Sequence, residues 1–84
     1  MSAIDLKLLA ELEYHGYKNI RFVNMQFCGI MRMVYTVGVF YGLDEYGRRG
    51  RFCFDTEQNA ELFLADWDGE TPPVVGVDGC KAVK

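Results

Sequence analysis

The chain has 84 residues, half of them hydrophobic and a quarter charged, and a net charge of −3. That is room for one small domain but not two, and it is too apolar for intrinsic disorder. The charge argues against a generic nucleic-acid binder, which needs surplus Lys and Arg, and it falls short of a DNA mimic.

Ser2 and Asp5 suit a helix start, where a hydroxyl and a carboxylate serve free backbone N–H groups. Ile4, Leu8, Leu9 and Leu12 then recur at helical spacing, and Gly16 can take the left-handed stop. A helix over about residues 3–15 follows.

Ile20 to Tyr41 is rich in Val, Phe, Tyr, Met and Ile, with Gly29-Ile30 as its one break. Gly in the first central position of a type II′ turn predicts a hairpin there. Its register would pair Cys28 with Met31, Gln26 with Met33, Asn24 with Tyr35, Phe22 with Val37 and Ile20 with Val39. Period-2 alternation then sends Val23, Met25, Phe27, Val34 and Phe40 to the other face, interleaved with Arg21 and Arg32.

Leu43 to Gly50 reads as a polar connection and Arg51 to Asp55 as a third strand, with Cys53 on the outer side. Thr56 is placed to cap a second helix, whose stripe is Ala60, Phe63, Leu64 and Trp67. Asp68-Gly69 ends that helix and Pro72-Pro73 forbids its return. Val74 to Val77 can add an edge strand.

The expected architecture is an α+β two-layer sandwich in the order α-β-β-β-α(-β). It has a three- or four-stranded antiparallel sheet with both helices on one face. Residues 1–78 form the single domain and residues 79–84 a flexible tail.

No residue pattern points to catalysis. His15 is the sole histidine and suits a helix C-terminus. Cys28, Cys53 and Cys80 have neither disulfide-framework nor zinc spacing, which fits a reducing cytosol. Asp66, Asp68 and Glu70, like Asp44 and Glu45, gather where solvated acids are commonplace and lack calcium-loop spacing. Nucleophile elbow, phosphate loop and metalloprotease motifs are missing from the sequence. The N-terminus is acidic where a signal peptide is basic, and no apolar run reaches bilayer length. A cytoplasmic, non-enzymatic protein without cofactor or metal is expected.

Two surfaces remain as contact candidates. One is the outer sheet face, with Met25, Phe27, Arg32, Val34 and Phe40, because exposed apolar groups beside arginine mark interfaces. It would bind a protein partner or a second copy. The other is the YGRRGR loop, with Arg48, Arg49 and Arg51, which reads as a solvated turn, as a site for an acidic protein or, less readily, as one for nucleic acid, where Tyr46 could stack on a base.

The α-β-β-β-α order resembles the double-stranded-RNA-binding domain. That family grips phosphate with a lysine-rich start to its second helix, and here that segment is DTEQNAE, acidic instead of basic. The stretch Phe54 to Pro73 (FDTEQNAELFLADWDGETPP) resembles the ending of many short phage and mobile-element proteins. That resemblance implies a small stoichiometric inhibitor of a host defence nucleoprotein complex, of the anti-CRISPR kind.

Overall fold

In the computed structural model, residues 3–75 and 79–81 are described. Helix α1 spans Ala3–Tyr14. It stops because Gly16 takes φ 98°. The Gly16 N–H then donates to the Glu13 carbonyl and the Tyr17 N–H to the Leu12 carbonyl. These paired bonds satisfy carbonyls the helix end leaves open. Ser2, expected as its cap, lies outside the described residues.

Four strands follow: β1 (Lys18–Val23), β2 (Gln26–Arg32), β3 (Val37–Leu43) and β4 (Gly50–Phe54). After helix α2 (Glu57–Asp66) comes the two-residue strand β5 (Cys80–Lys81). The sheet is antiparallel throughout, in the order β1-β2-β3-β4-β5. The α+β class is as expected, with four substantial antiparallel strands between the helices where the hairpin reading counted three.

The extra strand corrects the Gly29-Ile30 turn. Gly29 lies inside β2, paired with Phe40, and a side chain there would meet the Tyr17 Cβ at 3.2 Å. Its glycine therefore serves a close approach, not a reversal. The chain reverses at Asn24-Met25, with φ 51° and 62° between the paired Val23 and Gln26, the signs of a type I′ turn. It reverses again over Met33–Thr36, closed by the Met33 N–H to the Thr36 carbonyl at 2.8 Å.

None of the expected cross-strand pairs forms. Cys28 faces Arg21 and Tyr41, and Phe22 faces Phe27. Met25 in the left-handed region costs about 1–2 kcal/mol. The register it permits buries Cys28 and Ile30 completely, and a fully buried Ile alone contributes roughly 1.5–3 kcal/mol. Burial outweighs turn preference here.

Both faces of the sheet are packed, each under one helix, so the expected single helical layer becomes two. On one side α2 sets Ala60, Leu64 and Trp67 against Cys28, Ile30, Val37, Val39 and Phe54. On the other, α1 sets Leu8 and Leu12 against Phe27, Phe40 and Leu43. Cys28/Ile30 and Phe27/Met31 alternate along β2, as do Val37/Val39 and Phe40 along β3, so the two clusters occupy opposite faces. The double-stranded-RNA-binding order fails with the extra strand.

The α2 cap is as read: the Thr56 hydroxyl accepts from the Asn59 N–H at 3.1 Å. The stripe Ala60, Phe63, Leu64 and Trp67 faces the sheet, where Tyr41 and Phe52 stack at 4.9 Å beneath Trp67. The expected edge strand moves from Val74–Val77 to Cys80–Lys81. Val74 and Val75 are exposed and outside any strand, while Gly76 and Val77 lie outside the described residues. The tail reading changes accordingly: Cys80 is buried in the α2-side core, paired with Phe54.

Candidate contact surface

The β3–β4 connection is a tight turn held by its own acid. The Asp44 N–H donates to the Gly47 carbonyl at 2.9 Å, and Asp44 Oδ1 accepts from the Tyr46 N–H at 2.8 Å. Short acidic side chains close turns in this way. The bonds commit Asp44 locally and leave Tyr46 90 % exposed at the tip. Gly42 then takes φ 64°, and the Arg49 N–H returns to the Tyr41 carbonyl at 3.0 Å. A side chain at Gly42 would collide with Arg49 Cβ, so this glycine lets the arginine arm lie across β3.

The result brings three arginines onto one surface. Arg51 sits on β4 directly opposite Phe40, so both belong to the α1 side. Arg49 precedes it by two residues along the same arm. The Arg48 guanidinium carbon lies 4.9 Å from the Phe40 ring centroid, a cation–π contact. Cys53, half-buried and opposite Gly38, continues the strip. Phe40 can lie flat because Gly38 has no side chain: a Cβ there would meet its ring.

Among the described residues the side chains of Arg48, Arg49 and Arg51 make no hydrogen bond or ion pair; the one salt bridge described joins Lys18 to Glu57 at 3.7 Å. Asp44 and Glu45 lie in the same connection, but neither forms an ion pair with these guanidiniums among the described residues, which leaves the guanidiniums open to an outside anion.

The other expected contact residues divide. Phe27 and Phe40 are 5 % and 3 % exposed under α1, so they are core and not contact surface. The expected outer face is thus half closed by α1, which the sequence pattern assigned to the opposite layer. Met25 is exposed at the β1–β2 turn and Val34 at the β2–β3 turn. The seven residues of β2 separate them by roughly 20 Å. Arg32 is exposed, and its position on β2 shares the α2-side face of Cys28 and Ile30. Arg21, read as outward, instead donates to the Leu64 carbonyl near the end of α2, where a cation also suits the helix dipole.

His15 is exposed beside the Tyr14 ring. Among the described residues no three His, Cys, Asp or Glu side chains converge as metal ligands, and no helix is long and apolar enough to cross a membrane. Burial pushes the Cys28 thiol up to about 11, against the lowering effect of Arg21. Two backbone N–H groups, from Thr71 and Glu70, and the Thr71 hydroxyl hold Asp68 down at about 2.

The packing of Phe40 under Arg48 is the feature that sequence pattern missed. Its signal was the Gly38-Val39-Phe40 spacing, which frees the ring's place on the face. Comparison with protein families, with curated proteins and with solved structures finds no match to this chain.

Proposed function

We propose that this protein is a non-enzymatic interaction module that docks an acidic protein surface onto Arg48, Arg49 and Arg51. The observation that carries the reading is the set of three guanidiniums, without an ion-pair partner among the described residues, beside a packed aromatic. Arginine presents a planar fork that grips carboxylates bidentately, and aromatic support pre-orients it. In a chain of net charge −3, a local positive strip favours one orientation of approach over others. A module of this kind acts stoichiometrically by occupying its partner, as a phage or mobile-element inhibitor of a host defence complex does. That setting is part of the proposal.

A second reading uses the same arginines on nucleic-acid phosphate, with the exposed Tyr46 ring as a stacking platform. The overall negative charge weighs against it.

Fluorescence anisotropy separates the two. A labelled deca-glutamate peptide, a 20-nucleotide single strand and a 20-base-pair duplex serve as probes at several salt concentrations. The proposal expects the peptide to bind, with at least tenfold loss in the Arg48→Glu/Arg49→Glu/Arg51→Glu variant. Tighter, arginine-dependent binding of either oligonucleotide would transfer the function to the second reading. Absence of arginine-dependent binding to any probe would remove both.

A further inference from the structure

On the side of the molecule opposite the arginines, α2 and the extended segment after it enclose a groove of about 570 Å³. Its apolar lining comes from Leu62, Phe63, Trp67, Pro73 and Val74. Leu62 and Val74 are largely exposed, with Val75 continuing the patch. The groove keeps its width because Pro72-Pro73 holds the chain extended and Trp67 Nε1 donates to the Thr71 carbonyl at 2.7 Å. These restraints limit the freedom of the segment after α2, which lowers the ordering cost of binding.

The rim is acidic. Asp66 and Asp68 both line the groove, and among the described residues neither carboxylate is paired with Lys or Arg. Asp68 keeps its charge at the rim while its oxygens accept from the Glu70 and Thr71 N–H groups and the Thr71 hydroxyl, so Asp66 is the acid open to a direct ion pair. An apolar trough with uncompensated acids at one border selects for a segment that is both apolar and cationic.

We propose that this groove receives an extended peptide segment of another protein, carrying apolar side chains into the trough and Arg or Lys onto Asp66, in the field of the neighbouring Asp68. The site is separate from the arginine strip and of opposite charge, so it stands or falls independently of the proposed function. A module with two such surfaces would bridge an acidic partner and a basic one.

Trp67 is the sole tryptophan and lines the groove, so its emission reports occupancy directly. The probes are acetylated, amidated hexapeptides alternating Leu with Arg, Leu with Glu and Leu with Ser. The Arg-Leu peptide is expected to change the emission saturably, and the Glu-Leu peptide to leave it unchanged. Asp66→Lys and Leu62→Ser are both exposed-site changes whose folding is checked by circular dichroism. Each should weaken the Arg-Leu peptide about tenfold, whereas Arg48→Glu/Arg49→Glu should not weaken it. Equal responses to all three peptides would overturn the proposal. So would Arg-Leu binding that survives both groove substitutions, or a dimer in sedimentation that Leu62→Ser dissociates, which would give the groove to a second copy.

Discussion

The guanidinium of Arg48 lies over the ring of Phe40, 4.9 Å from its centroid, so a surface charge is anchored on a core side chain. The two residues therefore answer different experiments. Arg48→Ala should cost about 0.5–1 kcal/mol in urea unfolding, the scale of an exposed cation–π contact. Phe40→Ala should cost about 3–5 kcal/mol, because a buried aromatic leaves a cavity among Leu12, Phe27 and Leu43. A small loss for Phe40→Ala would mean that α1 does not close over that ring.

Met25 offers a gain of stability. It occupies the second position of the β1–β2 turn at φ 62° and is 89 % exposed, so its side chain contributes little to offset the strain. Met25→Gly is expected to stabilise the fold by about 1 kcal/mol, since glycine adopts that conformation freely. Chemical denaturation checks it, and a loss of stability would argue for a different turn.

How much of this was legible beforehand follows from the same turn. The helices were readable because their signals are local: the Thr56 cap, the Ala60-Phe63-Leu64-Trp67 stripe and the Gly16 stop all act within a few residues. The strands were not, because Asn24-Met25 lacks the glycine that normally marks a type I′ turn. Gly29 displayed turn chemistry while serving the packing of Tyr17. One misplaced turn shifts the register and sends side chains to the wrong face, as it did for Val23, Met31 and Met33; Phe27 and Phe40 kept their face and read as exposed because α1 was assigned to the other layer. The arginine loop survived the error because its position depends on Asp44 and Gly47, not on the β1–β2 pairing.

Acid titration isolates the turn after α2. Asp68 has its folded pKa lowered to about 2, below the roughly 3.9 of an unfolded aspartate. The stabilisation from its charge is therefore complete above about pH 4 and is lost as pH falls through about 2. Asp68→Asn should lower the melting temperature at pH 6, with the gap narrowing below pH 3. A carbon-detected NMR titration of the Asp68 carboxyl with a midpoint near 4 would contradict the turn geometry.

Thiol labelling reads the two-faced core. Cys28 is buried on the α2 side with its pKa raised to about 11 by burial, and Cys80 is buried in the same cluster with its pKa also raised. Cys53 is half-buried on the other face. At pH 8 an aromatic disulfide reagent should modify Cys53 first, with the other two protected until the fold opens. Rapid labelling of Cys28 in the native state would contradict the position of α2.

The central claim, that the Arg48-Arg49-Arg51 strip takes an acidic partner, is tested most directly by NMR titration of the labelled protein with deca-glutamate. The expected result is saturable shifts confined to the arginine Nε–H signals and to amides of residues 38–53, absent in the triple charge-reversal variant. Shifts that are missing there, or that map to α2 or the β2–β3 turn, would contradict it.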